Sequence, residues 1–132
     1  MLVTLIKERT VDGMAVSLTV GQSYEVLGIE ADDYRVLTDP GTACCPNDPV
    51  LYPPDCFRIV DPTEPPFWVT EYGEDGECYS YPERWSRAGF FEDFHDGVEA
   101  IRSQFWADLR SLYPRTWQER CADSKEAPGK AP

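Results

Sequence analysis

The chain has 132 residues and carries 24 acidic against 12 basic side chains, a formal net charge of −12. This length allows one domain, or a small barrel with an appended element, around a single core. The charge disfavours direct binding to nucleic acid, whose phosphates an acidic surface repels. No apolar run approaches the roughly 20 residues of a membrane-spanning helix. Because the first residues also lack the features of a signal peptide, we predict a cytoplasmic protein without membrane association.

The acidic residues are concentrated in the first two thirds of the chain. Residues 1–61 carry a formal charge of −6, residues 62–97 one of −7, and residues 98–132 one of +1. Such a surface attracts and steers a cationic protein. The same excess of charge also serves solubility alone, and both interpretations stay open at this point.

Short apolar runs, rich in β-branched and aromatic residues, dominate the first half of the chain. Residues 2–7 are predicted as the first strand, and residues 14–18 as a short strand or a strand extension. Three further strands are predicted at residues 24–29, 34–37 and 57–60, each bounded by Gly, Asp or Pro.

The segments between these strands are typical of turns and loops. Residues 31–33 are few and polar, as in a hairpin turn. Residues 39–49 contain prolines and the adjacent Cys44 and Cys45, as in an irregular loop. The prolines at positions 53–54 fix φ and block ladder pairing, which predicts a tight turn before the last strand. Short strands joined in this way predict a small, strongly bent barrel.

Part of this pattern resembles the SH3-like barrels of small bacterial and phage proteins. Their VGKxYEVL strand, YYRI-type strand and YPxxxFEIV closing segment correspond here to VGQSYEVL, DYRVL and YPPDCFRIV. The matching residues are Val20, Gly21, Tyr24, Val26, Leu27, Tyr34, Arg35, Val36, Tyr52, Pro53, Phe57, Ile59 and Val60. The resemblance covers less than half of the chain, and it implies a fold rather than an activity.

A proline-rich connector at residues 61–66 marks the predicted end of the barrel, because three closely spaced prolines continue neither a helix nor a central strand. Residues 67–72 and 77–81 then predict two strands, joined by a turn at residues 73–76. The predicted hairpin has an acidic tip, and its aromatic sides are formed by Trp68, Tyr72, Tyr79 and Tyr81.

Helical patterns follow the hairpin. Residues 82–85 predict one helical turn that starts with a proline. Asp96 and Glu99 have the spacing of a capping box, and a helix is predicted over about residues 97–113. Its apolar stripe comprises Val98, Ile101, Phe105, Leu109 and Leu112, widened by Trp106 and Tyr113. Residues 115–121 are predicted as a further helical turn.

The predicted fold is therefore mainly β with helical additions (α+β). Residues 1–61 form an SH3-like β-barrel, and residues 62–121 form a β-hairpin and a C-terminal amphipathic helix packed on the barrel. Residues 122–132 offer no apolar anchor and are predicted to be a disordered tail.

The sequence offers little for catalysis. His95 is the only histidine, and no phosphate loop, GxSxG or dinucleotide-binding turn is present. Five cysteines without a CxxC pair favour free thiols over a zinc site, although a redox role for the Cys44–Cys45 pair stays open. Glu92, His95 and Asp96 share one helical face, but helix capping accounts for them better than a metal does. We predict no enzyme activity, no cofactor and no metal.

The segment at residues 89–97, GFFEDFHDG, gives a second resemblance. Together with the barrel and the connector it is similar to small bacterial proteins that carry a GFFEDYFDG-type tail. Some of these resemble immunity proteins encoded beside polymorphic secreted toxins, including those of type VI secretion. The resemblance implies no catalytic residues, and it implies an immunity protein that binds a cognate toxin and occludes the toxin's basic active site.

Under this hypothesis the partner is a basic toxin domain, and the contact surface combines carboxylates with aromatic rings. The predicted partner-binding residues are Glu71, Glu74, Asp75, Glu77, Trp68, Tyr72, Tyr79, Trp85, Glu92 and Asp93.

Two alternatives belong to other functional classes. An SH3-like adaptor would hold an extended or proline-rich peptide with Tyr34, Tyr52 and Trp68. An acidic nucleic-acid mimic would inhibit a DNA- or RNA-binding protein with carboxylates in place of phosphates. The mimic requires regularly spaced rows of acidic groups, a pattern that the sequence does not display.

Overall fold

The computed structural model describes residues 1–40 and 47–120, and it is mainly β with a few short helices, an α+β fold. The strands are β1 (Leu2–Leu5), β2 (Ser23–Glu25), β3 (Gly28–Glu30), β4 (Asp33–Leu37), β5 (Pro49–Tyr52), β6 (Phe57–Asp61), β7 (Trp68–Tyr72) and β8 (Cys78–Pro82). The helices are α1 (Phe90–His95), α2 (Glu99–Leu112) and α3 (Pro114–Arg120), with single 3₁₀ turns at Pro54–Cys56 and Glu83–Trp85.

The chain divides into two compact units: the first comprises Met1–Pro82 and the second begins at Glu83. The strands named above lie in the first unit and the α-helices in the second. The predicted ranges 1–61 and 62–121 divide the chain at another point, since both strands of the hairpin belong to the first unit. The predicted tail at residues 122–132 lies outside the described residues, as do Cys44, Cys45 and Cys121.

The first unit contains two antiparallel sheets. The smaller has the strand order β2-β1-β6, and the larger has the order β5-β4-β3-β8-β7. The described strands do not close into one barrel, because no pairing joins the two sheets. A cluster of buried side chains forms a core of the first unit, and it includes Val3, Val36, Tyr34, Phe57 and Trp68.

The strand predicted at residues 24–29 is wrong as a single element, because it is divided between the two sheets as β2 and β3. Val26 donates its amide to the carbonyl of Met1 at 2.9 Å, whereas Leu27 donates to the carbonyl of Arg35 at 2.8 Å. Successive amides thus bond to different sheets. Both side chains are fully buried, which fixes the chain at the crossing.

The predicted hairpin turn between β3 and β4 is confirmed. Ala31 has φ 50° and Asp32 has φ 71°, the left-handed pair of a type I′ turn, and here it is formed without glycine. Asp32 is fixed from outside the turn: its Oδ1 accepts the amide of Cys78 at 2.9 Å, and its own amide donates to the carbonyl of Cys78 at 3.1 Å.

Several other local predictions are confirmed: the first strand, the strands at residues 34–37 and 57–60, the proline turn, the β7–β8 hairpin and the turn at residues 83–85. The strand predicted at residues 14–18 is wrong, since the described structure has there only an isolated bridge between Arg9 and Ala15. Strand β5 was not predicted, because the prolines around it indicate a loop.

The second unit is built around aromatic side chains. Trp85 lies at its centre, with ring centroids 4.7 Å from Phe105, 5.6 Å from Tyr113 and 6.3 Å from Phe90. Contacts at these distances add to the free energy gained from burying the rings.

The predicted capping box is wrong. Residues 90–95 are themselves helical, because Phe90, Phe91 and Phe94 form one buried face. Asp96 ends α1, with its amide donated to the carbonyl of Glu92 at 2.9 Å, and Gly97 adopts φ 81° after it. Helix α2 therefore starts later than predicted, after Val98, which makes no side-chain cap.

The predicted apolar stripe of α2 is confirmed at its centre. Phe105, Trp106 and Leu109 are buried, and so is Tyr113 just beyond the helix. Val98, which precedes the first residue of α2, is 41% exposed and does not extend the stripe. The predicted further helical turn is confirmed as α3.

Candidate binding surface

A row of polar side chains crosses one end of the larger sheet. Glu71 pairs with Tyr79, Tyr79 with Glu30, and Glu30 with Asp33, across β7, β8, β3 and β4. Directly paired residues in a sheet point to the same face. These four side chains therefore lie side by side on the face opposite the core.

The two hairpin turns lie at the same end of the sheet, because β3 and β8 are antiparallel and the end of β3 meets the start of β8. The hydrogen bonds between Asp32 and Cys78 join the two turns directly. Seven carboxylates are gathered there, and we call them the acidic turn surface: Glu30, Asp32, Asp33, Glu71, Glu74, Asp75 and Glu77.

Basic side chains scarcely offset this charge. Residues 1–82 contain 15 acidic and 4 basic residues, so the first unit carries a formal charge of −11 out of the total −12. Arg35 is the single basic residue in residues 28–37, 47–52 and 68–82, which hold the five strands and the two turns. It is only 4% exposed. The acidic turn surface thus presents negative charge to solvent with no exposed cation among the residues that form it.

Arg35 is held in a buried polar network with Glu30 and Tyr81. Its Nε donates to the Tyr81 Oη at 2.6 Å, one Nη donates to the carbonyl of Pro49 at 2.7 Å, and the other donates to Glu30 Oε1 at 3.0 Å. The Tyr81 hydroxyl in turn donates to the same Glu30 oxygen at 2.9 Å. Buried charge is tolerated because every partner is supplied, and the network fixes the Glu30 carboxylate within the row.

Gly28 makes this network sterically feasible. A Cβ at this position would lie 2.1 Å from the Tyr81 ring, a distance that no side chain tolerates. The ring of Tyr81 therefore lies directly over the backbone of β3, which brings its hydroxyl within reach of both Arg35 and Glu30.

Two pKa shifts report the electrostatic character of this surface. The pKa of Asp33 is raised, first by burial and then by the neighbouring charges of Asp32, Asp55 and Glu30. The pKa of Tyr79 is also raised, by burial and by the carboxylate of Glu77, to which its hydroxyl donates. Negative neighbours disfavour a further negative charge, as expected where carboxylates are crowded.

Six of the predicted partner-binding residues lie on or beside the acidic turn surface: Glu71, Glu74, Asp75, Glu77, Tyr72 and Tyr79. Tyr72 is 70% exposed and is the aromatic side chain most open to solvent there. Glu77 is partly engaged, since its carboxylate accepts the amide of Asp75 at 3.0 Å and closes the turn.

The expectation that Trp68 and Trp85 are exposed anchors is wrong. Trp68 is 8% exposed and belongs to the core of the first unit, and Trp85 is 1% exposed at the centre of the second. Both rings are large apolar groups that their own unit buries. Glu92 and Asp93 lie on α1 of the second unit, where Asp93 pairs with Arg87 at 2.8 Å.

Sequence reasoning missed Glu30, Asp32 and Asp33 as members of this surface. The acidic character of both turns is readable in the sequence, but the pairing of β3 with β8 joins residues about fifty positions apart. No local pattern specifies that pairing.

Among the described groups considered for catalysis, His95 belongs to the second unit and the Cys56 thiol to the first. His95 is exposed at the end of α1, where its ring packs against Phe94. The Cys56 thiol is buried, and burial followed by the charge of Asp55 raises its pKa, which disfavours the reactive thiolate. Within residues 1–40 and 47–120, no group of three or more His, Cys, Asp or Glu side chains could hold a metal ion. No helix in this part of the chain has the length and apolar character needed to cross a membrane.

The chain has no significant match among protein-family models, curated proteins or solved structures.

Proposed function

We propose that this protein is a non-enzymatic binding protein for a cationic partner, and specifically an immunity protein that neutralises a cognate secreted bacterial toxin. The observation that carries the proposal is the acidic turn surface, on which the strand pairing gathers seven carboxylates, while Arg35, the one basic residue among the described strands and turns of the larger sheet, is buried. The immunity role itself comes from the resemblance of residues 89–97 to the tails of small bacterial proteins.

The chemistry of such a surface suits the basic active-site cleft of a toxin that acts on a polyanion. Its potential accelerates the encounter with a cationic partner by about 10- to 1000-fold at low salt. Exposed carboxylates such as Glu71, Glu74 and Asp75 then pair with lysine and arginine side chains. Tyr72 supplies an exposed aromatic contact at the same end of β7, on the other face of the strand.

The SH3-like relationship of residues 20–61 is part of the same proposal. It is supported by the order of the elements: a tight hairpin, a proline turn at Pro54–Cys56, and a last strand β6 that returns to pair with β1. The peptide-adaptor alternative has less support, because Tyr34, Tyr52 and Trp68 are all buried and do not form an exposed groove.

The test of the immunity role starts from the gene immediately upstream. If that gene encodes a secreted protein, its C-terminal domain is expressed in bacteria with and without this protein. We expect the domain to be toxic alone and harmless in the presence of this protein, with a stable complex on gel filtration. A toxic domain that this protein neither binds nor neutralises would contradict the proposal.

A second candidate, mimicry of nucleic acid, is favoured by one observation. The carboxylates of Glu71, Glu30 and Asp33 lie in one row across the larger sheet, where neighbouring strands are about 4.8 Å apart and Tyr79 of β8 lies between Glu71 and Glu30. The partner would then be a DNA- or RNA-binding protein. The partner's own effect on cells distinguishes the two candidates: an immunity protein protects cells from a domain that is toxic when expressed alone, whereas a nucleic-acid mimic blocks DNA or RNA binding by a protein that is not toxic.

A further inference from the structure

Strand β7 forms one edge of the larger sheet, and its hydrogen-bonding pattern can be read from the hairpin. Gly73 donates its amide to the carbonyl of Glu77 at 2.8 Å. Hydrogen-bonded pairs recur at every second residue of an antiparallel ladder. Glu71 and Val69 therefore bond to β8, whereas the backbone groups of Thr70 and Tyr72 point away from the sheet.

Two independent details agree with this assignment. The hydroxyls of Thr70 and Ser80 are 2.8 Å apart, as expected for the closely spaced pair that exchanges no backbone bonds. Pro82, which has no amide hydrogen, lies opposite Trp68 in the same class of pair.

The outer side of β7 is open in the described structure. No backbone hydrogen bond among the described residues reaches the amides of Thr70 or Tyr72 from that side. After Trp68 the strand is exposed, with Val69 at 41% and Tyr72 at 70%. The register has no bulge, and the strand contains neither proline nor lysine, the usual devices that protect an edge.

We propose that β7 binds an extended, lysine- or arginine-bearing segment of the partner as an additional antiparallel strand. This inference rests on the proposed function and specifies how the acidic turn surface takes hold of its partner. Thr70 and Tyr72 would supply the backbone hydrogen bonds of the new ladder.

Charge complementarity identifies the occupant as cationic. In the added ladder, Glu71 and the residue of the bound segment opposite it form a pair without backbone hydrogen bonds. Their Cα atoms are about 4.5 Å apart. A lysine or arginine at that position pairs with Glu71, and Glu74 and Asp75 in the adjoining turn receive further cations. A second copy of this chain is the poorer occupant, because two units that each carry a formal charge of −11 would be brought together.

The probe is a synthetic peptide in which lysine and valine alternate, and a matched peptide with glutamate in place of lysine is the control. The decisive variant is Thr70→Pro, which removes the outward amide and leaves the β7–β8 ladder intact, since that ladder does not use it. Thr70→Ala is the matched variant, because it retains the amide and loses only the hydroxyl contact with Ser80.

Binding is measured by calorimetry and by amide hydrogen exchange. We expect the lysine peptide to bind and the glutamate peptide not to bind. Thr70→Pro should weaken binding by about tenfold or more, and Thr70→Ala by less than about threefold. On binding, the amides of Thr70 and Tyr72 should become protected, whereas those of Val69 and Glu71 are protected already. The melting temperature of each variant shows that it is folded.

The failures of the two proposals are distinguishable. If Thr70→Pro is folded and binds the lysine peptide as tightly as wild type, strand addition is overturned. The proposed function then still stands, provided that neutralising Glu71, Glu74 and Asp75 weakens binding. If neither Thr70→Pro nor the neutralisation of Glu71, Glu74 and Asp75 weakens binding, both proposals are overturned. A dimer on gel filtration that Thr70→Pro dissociates would show that a second copy occupies the edge, and this too overturns the inference.

Discussion

Replacing Tyr81 with phenylalanine tests the buried polar network that fixes Glu30. The substitution deletes one hydroxyl, which accepts the 2.6 Å hydrogen bond from Arg35 and donates the 2.9 Å bond to Glu30. Hydrogen bonds to charged groups contribute about 1.5–3 kcal/mol each. Arg35 keeps its bonds to Pro49 and Glu30, and the carboxylate of Glu30 is partly open to water. We therefore expect Tyr81→Phe to lower the free energy of unfolding by about 2 kcal/mol.

The assay is urea denaturation. Unfolding is detected by the hydrogen exchange of backbone amides in β3 and β4, so that the first unit is observed by itself. Tyr79→Phe is the matched control on the same strand, because its hydroxyl lies 3.3 Å from Glu77 at a half-buried site. That change should cost less than about 0.5 kcal/mol. If Tyr81→Phe cost no more than Tyr79→Phe, the Arg35 network would not stabilise the sheet, and the reasoning would be refuted.

Three further predictions concern other parts of the chain. Trp85→Ala should destabilise the second unit by about 3–5 kcal/mol, measured by the loss of near-ultraviolet circular dichroism on heating, and a loss under about 1 kcal/mol would refute its central place. Ala31→Gly should stabilise the first unit by about 1 kcal/mol in urea denaturation, because Ala31 has φ 50° and a left-handed backbone strains any residue with a Cβ. A loss of stability would show that the backbone of Ala31 is not strained. The raised pKa of Asp33 means that its carboxyl group binds a proton more tightly in the folded state than in the unfolded state. Ionisation of Asp33 therefore lowers the free energy of unfolding, and this loss develops as the pH rises through the folded-state pKa. Asp33→Asn should therefore gain a few tenths of a kcal/mol at neutral pH and nothing well below the ordinary aspartate pKa of 3.8, and a gain independent of pH would contradict this cause.

Local chemistry in the sequence was sufficient to predict the short elements. The β3–β4 turn, the proline turn and the β7–β8 hairpin are each determined by residues within a few positions of one another. The same kind of reasoning failed at Asp96, where the spacing to Glu99 matches a capping box. The buried face formed by Phe90, Phe91 and Phe94 prevailed over that signal and placed Asp96 at the end of an earlier helix.

Long-range pairing could not be predicted, and it determines the candidate surface. Nothing near Glu30 in the sequence indicates that it lies beside Tyr79, or that Arg35 is buried against Tyr81. The exposure of individual aromatic side chains could not be predicted from the sequence either. Trp68 and Tyr72 lie on the same face of one strand, yet the first is in the core and the second is exposed, because only one end of that face is covered.

The most direct test of the account is the salt dependence of association with the upstream toxin domain. Between about 0.01 M and about 1 M salt the screening length falls from roughly 30 Å to roughly 3 Å. We expect the association rate constant to fall by at least about tenfold over this range. The variant Glu71→Gln, Glu74→Gln, Asp75→Asn should lose most of that dependence.

The matched control, Glu83→Gln, Glu99→Gln, Glu119→Gln, removes the same charge from exposed positions of the second unit and should keep the salt dependence. An association rate that is insensitive to salt, or that both triple variants change equally, would contradict the claim that the acidic turn surface meets a cationic partner.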